Sequence, residues 1–366
     1  MRVLALMLPF IILLSCRTAA PESAGAPDTP LRSLAAARHI LIGAAVDPHA
    51  LRTEPRYAAT LAREYDLVVA ENAMKFDVIE PASGVYDFAD ADAIVNFATS
   101  HHMQIRGHNL VWHQQAGWIK SDWQRGILSP AQLFQALRAH IFTVVGHFRG
   151  RIAFWDVVNE AVADNPDTES VSASLRGTFW LEAWKKLHPD LPPYGYIEQA
   201  FRWAHEADPQ AVLFYNDYGI SGADGAKTDA VYNLLRQMKL DGVPVGGIGM
   251  QMHIDLSGYP LNDRFGQNIE RFAALGLQVQ ITEADVRIPI PATAANLKRQ
   301  ARTYHDILAA CLAVKGSPVT AFLTWGFTDG HSWVPSFFPG YGAALPFDRD
   351  YRPKPAYFAL QAALRN

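Results

Sequence analysis

Short apolar runs and longer amphipathic stretches take turns along most of the chain. Aliphatic, β-branched and aromatic residues dominate 41–46, 67–70, 104–111, 152–158, 212–215, 248–252, 279–282 and 321–325. These runs are nearly continuous in apolarity, the mark of strands buried on both faces. Apolar residues at helical spacing fill much of the intervening chain, at 90–100, 130–147, 196–207, 228–240, 262–275 and 297–314. Eight strand–helix units closing on themselves predict an α/β fold, a single (β/α)8 TIM barrel. An open doubly wound sheet is the rival, but no Gly-rich phosphate turn follows the first run.

The two ends of the pattern differ. After Met1-Arg2 the chain is almost wholly apolar from Val3 to Leu14. That is too short to span a bilayer and suits a signal-peptide core, so 1–16 is set aside from the fold. Leu13-Leu14-Ser15-Cys16 resembles a bacterial lipobox, with Cys16 as the lipidated residue; cleavage after Thr18-Ala19-Ala20 is the weaker alternative. Residues 17–30 are rich in Ala, Pro and small polar residues and read as a flexible tether. The catalytic barrel is expected to occupy 31–366, in an exported protein: a bacterial cell-envelope lipoprotein, or a secreted or periplasmic one.

Polar residues collect at the C-terminal ends of the predicted strands: Glu71-Asn72, His108-Asn109, Asn159-Glu160, Asn216-Asp217, Gln251 with His253, Glu283 with Asp285, and Trp325. In a barrel these ends share one face, where barrel enzymes keep their chemistry. Buried polar groups cost free energy unless partnered, so such a gathering points to a site. Asn216 and Asp217 fit rim-bracing and substrate contact equally well. The formal net charge of −4 comes without a basic run, which argues against nucleic acid as a partner. Cys311 is the only cysteine besides Cys16, so the mature chain has no intrachain disulfide, and a buried, inert thiol is expected. No Gly-x-Ser-x-Gly elbow, P-loop or HExxH is present, and His101, His102, His113, His140 and His331 lack metal-ligand spacing.

Two carboxylates stand out. Glu160 closes WDVVNE and Glu283 sits in ITEAD, each at the end of a different strand. Glycosidic bond cleavage needs such a pair, one protonated for the leaving oxygen and one ionised, about 5–5.5 Å apart in a retaining enzyme. Asn159 is placed to hold a sugar 2-hydroxyl.

With WDVVNEA, ITEADV, GIGMQMH, AENAMKFDVIEP, GHNLVWH, YNDY, WGFTDGHSW and PKPAY in this order, the chain resembles glycoside hydrolase family 10 from about 41 to 362. The resemblance implies a retaining endo-β-1,4-xylanase on a (β/α)8 barrel, needing no metal or cofactor and acting on xylan and xylo-oligosaccharides, as a monomer. It makes Glu160 the acid/base and Glu283 the nucleophile, with His253 bonded to Glu283 and Asp285 bracing the imidazole. Glu71, Asn72 and Lys75 would contact the non-reducing side of the cleft. His108, Trp112 and Gln251 would line the sugar at the cleavage point, and Trp325 and Trp333 would form its platform and wall. The chain departs from the family pattern at Met252 and Ala284, in a shorter loop after Trp112, and in an expanded stretch at 164–194. Two other readings stay open: a hydrolase of another β-1,4- or β-1,3-linked glycan, and a surface glycan-binding lipoprotein without catalysis. Intact Glu160, Glu283, His253 and Lys75 weigh against the last.

Overall fold

The computed structural model describes residues 29–366 except 115–116, 167–169, 223–224 and 257–262. The expected leader, Cys16 and nearly all of the expected tether lie outside the described residues. Eight parallel strands close into a barrel. They are β1 (Leu41–Val46), β2 (Leu67–Ala70), β3 (Gln104–Trp112), β4 (Phe154–Asn159), β5 (Val212–Asp217), β6 (Gly247–Met250), β7 (Gln278–Pro289) and β8 (Val319–Thr324). Each pairs with the next, and β8 pairs back onto β1.

Helices follow the predicted stretches closely: Ala89–Ser100, Pro130–His147, Gly195–Ala207, Ala226–Leu240, Asp263–Ala273 and Ala294–Ala313. The second shows why its start was legible. Ser129 caps it, Pro130 occupies the first turn where no N–H is needed, and Gln132 completes a reciprocal capping box. Its Leu133, Leu137, Ile141 and Val144 are buried on one face. Among the described residues no helix is long and apolar enough to cross a membrane.

Six strands differ from the sequence pattern at one end or both, and two of the differences bear on the site. β7 continues well beyond 282 because its far half has partners of its own: His253–Asp255 runs parallel to it and Tyr341–Gly342 antiparallel. β4 starts later than expected and includes Asn159, which pairs in register with Trp112 on β3 and Asn216 on β5.

Inside the lumen, Ala45, Leu67, Val69, Phe154, Phe214, Ala321 and Leu323 form an apolar cluster drawn from strands that are not all neighbours. Alongside it the filling turns ionic. Arg106, fully buried, donates from Nε to Asp156 Oδ2 (2.9 Å) and from Nη1 to Gln280 Oε1 (2.6 Å), and lies over the Phe214 ring. Burial raises the Asp156 carboxyl, but Arg106 and then His108 more than offset that, and the net direction is down. Cys311 is a free, buried thiol.

Gly249 makes this layer possible. A Cβ there would stand 2.2 Å from Asn216 Oδ1 and 3.0 Å from Arg106 Nη2. Asn216 cannot yield easily, because its Oδ1 accepts from Thr282 Oγ1 at 2.7 Å. Gly249→Ala is therefore expected to cost about 1–3 kcal/mol by overpacking and to lower activity by displacing Asn216. Urea unfolding and initial rates check both; wild-type values in either would contradict this account.

Candidate active site

Parallel pairing sets same-face neighbours about 4.8 Å apart, so register decides which polar side chains meet. His108 is opposite Asp156, and its Nδ1 lies 3.0 Å from Asp156 Oδ2. Asn159 is opposite Asn216, whose Nδ2 donates to Asn159 Oδ1 at 2.9 Å. His253 is opposite Asp285, with Nδ1 2.7 Å from Asp285 Oδ2.

Glu283 is nearly enclosed. Its Oε1 accepts from Asn216 Nδ2 at 2.7 Å, and its Oε2 lies 3.0 Å from His253 Nε2. His253 thus has a carboxylate at each ring nitrogen, an arrangement satisfied only by the doubly protonated ring. Burial opposes that charge, but Asp285 and then Glu283 outweigh it and push His253 up to about 10. For Glu283 burial again opposes the charged form and so acts upward. The His253 hydrogen bond and the charges of His108 and His253 overcome it, and the carboxyl is held below its ordinary value.

Glu160 has different company. Its Oε1 accepts from Gln251 Nε2 (2.8 Å) and Asn159 Nδ2 (3.1 Å), and its Oε2 from Trp112 Nε1 (2.8 Å). All three are uncharged donors. His113 Nδ1 lies 3.3 Å from Oε2 without making a hydrogen bond, and burial holds that imidazole below its usual range. Glu160 also adopts a left-handed backbone (φ 59°), which costs a non-glycine residue about 1–2 kcal/mol.

Both glutamates open onto one cavity of about 590 Å³, walled also by Lys75, His108, Trp112, Asn159, Gln251, His253, Trp325 and Trp333. Trp112 and Trp333 do more than present faces: Trp333 Nε1 donates to Asp285 Oδ2 at 2.8 Å. Glu71, Asn72 and Asp285 are not among the residues that line the cavity. Asn72 Oδ1 accepts from Lys75 Nζ at 2.7 Å, and Glu71 is pushed up to about 7 by desolvation and by the negative charge of Asp47. Asn216, evenly weighed from sequence, proves to link both glutamates. Tyr218, Arg287, Phe337 and Phe338 line the cavity, and His113 faces Glu160, without having been singled out. Tyr218 carried a signal in YNDY. Phe337, Phe338 and Arg287 carried none, because a loop and an overlong strand deliver them. Among the described residues no cluster of His, Cys, Asp or Glu could hold a metal ion.

The model of glycosyl hydrolase family 10 matches residues 30–363. Endo-1,4-beta-xylanase B of Thermotoga neapolitana is 43% identical over 345 residues, covering 93% of this chain and 93% of its own. Native xylanase 10B from Thermotoga maritima superposes with a TM-score of 0.81 at 44% identity, over 92% of this chain and 98% of that one. Xylanase 10B from Thermotoga petrophila RKU-1, solved in complex with xylobiose, gives 0.82 at 44% identity, over 93% and 98%.

The imidazolium beside Glu283 makes a signed prediction. His253→Gln keeps a donor but removes the charge, so the Glu283 pKa is expected to rise by about one unit or more, one unit being about 1.4 kcal/mol. If turnover needs the ionised carboxylate, the acid limb of kcat/KM moves to higher pH. A pH profile on an aryl xylobioside reads this, and an unmoved limb would count against it.

Proposed function

The chain belongs to glycosyl hydrolase family 10, and from that premise we propose how its two buried glutamates divide the work of cutting xylan. It is an endo-acting β-1,4-xylanase that retains anomeric configuration. In this reading Glu283 attacks the anomeric carbon while the glycosidic C–O bond breaks and Glu160 gives its proton to the leaving oxygen. Water then delivers a proton to Glu160 and displaces Glu283 from the same carbon. The contrast in surroundings supports this division. Glu283 is bonded to a doubly protonated imidazole and stays ionised, as a nucleophile must. Glu160 accepts its hydrogen bonds from three neutral donors, Gln251, Asn159 and Trp112, with no charged donor bonded to it.

The substrate contacts follow the walls. Glu71, Asn72, Lys75, His108, Asn159 and Gln251 supply donors and acceptors to sugar hydroxyls. Trp112, Trp325 and Trp333 supply faces and a wall against a bulkier hexose. Residues 1–16 act as an export leader, with Cys16 as a lipid anchor at the cell envelope and the barrel working as a monomer.

Glu283→Ala is expected to stay folded and lose turnover by about 10⁴-fold or more. Azide should restore activity on an activated aryl glycoside and yield the glycosyl azide of inverted configuration. Failure of every small nucleophile to rescue would remove Glu283 from the role. On glucuronoxylan, early release of mixed xylo-oligosaccharides is expected, and initial rates should far exceed those on carboxymethylcellulose. Equal rates would shift the substrate to β-glucans generally, and binding without turnover would revive a non-catalytic role. For the anchor, Cys16→Ala should move the protein from the membrane to the soluble fraction of expressing bacteria; unchanged partition would sink that part.

A further inference from the structure

Just past the end of β4 the chain leaves the sheet ladder, and Glu160 takes its left-handed conformation. A segment leaving a sheet must find other partners for its peptide groups. From 160 to 162 every one is satisfied. Glu160 N–H donates to Asn216 O (2.8 Å), and Arg176 N–H donates to Ala161 O (2.8 Å). The other four groups belong to two side chains. Arg176 donates from Nε to Glu160 O and from Nη2 to Val162 O, both at 3.1 Å. Tyr215 Oη accepts from Ala161 N (3.0 Å) and Val162 N (3.2 Å).

Each clamping group is itself fixed by a carboxylate. Asp164 takes Arg176 Nη2 at 2.7 Å and Nη1 at 3.2 Å, and also the Tyr218 hydroxyl. Asp217 Oδ2 takes the Tyr215 hydroxyl at 2.7 Å, while its Oδ1 meets Lys227 Nζ at 2.9 Å. Lys227 in turn reaches Asp164 Oδ1 at 3.4 Å. The Arg176 side chain is only 17% exposed, and its guanidinium is committed to backbone carbonyls and Asp164. A planar fork with several donors suits this task, where a lysine offers one nitrogen.

We propose that Arg176 is a positioning residue for catalysis: together with Tyr215 it clamps the peptide groups of 160–162 and so aims the Glu160 carboxyl at the leaving oxygen. This rests on Glu160 being the acid/base. Arg176 touches no reacting atom. It acts by holding a strained backbone whose relaxation would swing the carboxyl away, and a misplacement of about 1 Å can cost about 10²-fold.

Leaving-group dependence separates aim from mere folding. Xylan needs a proton on its leaving oxygen, whereas 2,4-dinitrophenyl β-xylobioside does not. Arg176→Ala is expected to lose about 100-fold in kcat/KM on xylan but less than about threefold on the dinitrophenyl substrate, with azide speeding turnover of the latter. Arg176→Lys, which keeps the charge near Asp164, should show the same split and carries the test if the alanine variant does not fold. Glu160→Ala, run alongside, should show the larger split. Equal losses on both substrates for the Arg176 variants, with Glu160→Ala still split, would overturn the clamp and leave the acid/base intact. Full activity of Arg176→Lys would also overturn it, by showing that charge alone suffices. No split for Glu160→Ala would overturn both readings.

Discussion

Two carboxylates facing one cavity repel each other, and the C-terminal face of this barrel is organised around making that tolerable. The answer is a continuous set of donors. Thr282 orients the Asn216 amide, which donates to Glu283 and to Asn159; Asn159 donates to Glu160, and Gln251 donates to both Asn159 and Glu160. Every member is buried. In such surroundings a half-satisfied network is worse than none, so the donors stand or fall together. The arrangement also fixes two of the amides: the Asn216 and Asn159 oxygens both accept hydrogen bonds, which leaves their nitrogens aimed at a carboxylate.

Beneath that network lies a second ionic layer that gives it a floor. Arg106, Asp156 and Gln280 are buried inside the lumen, with His108 joined to Asp156. A buried ion pair is weak evidence for stability, since desolvation consumes much of its attraction. Its use here is geometric. Asp156 holds the His108 ring edge-on to Trp325, a member of the cavity wall. Gly249 leaves the space in which Arg106 and Asn216 meet without a side chain between them. The apolar cluster fills another part of the lumen and reaches Trp325 at the cavity.

Much of this was legible in the chain, for identifiable reasons. β1 and β2 match their apolar runs residue for residue, because a strand buried on both faces has no polar interruption. Glu160, Glu283 and His253 were recognisable because WDVVNE, ITEAD and GIGMQMH stand together at strand ends; taken singly, each residue has an ordinary structural use. Asn216 stayed ambiguous, since its value depends on standing opposite Asn159, and register is not written in one strand. His113 and Arg176 were passed over for a related reason: they meet Glu160 through loops, where no periodicity reports direction. The far half of β7 escaped because the partners that extend it lie outside the barrel proper.

Asp285 shows how tightly shape and charge are joined here. A single oxygen, Oδ2, accepts from both His253 Nδ1 and Trp333 Nε1. The first bond keeps the imidazole protonated and turned toward Glu283; the second fixes the indole that walls the cavity. The two rings also pack edge to face, with centroids 4.9 Å apart. A sugar too bulky for the wall would have to displace Trp333, and that movement would pull on the carboxylate that sustains the imidazolium. The indole at the cavity wall and the imidazolium beside Glu283 thus depend on one carboxylate oxygen. A shift of the wall is therefore felt at the carboxylate that braces His253, and a shift of that carboxylate is felt at the wall.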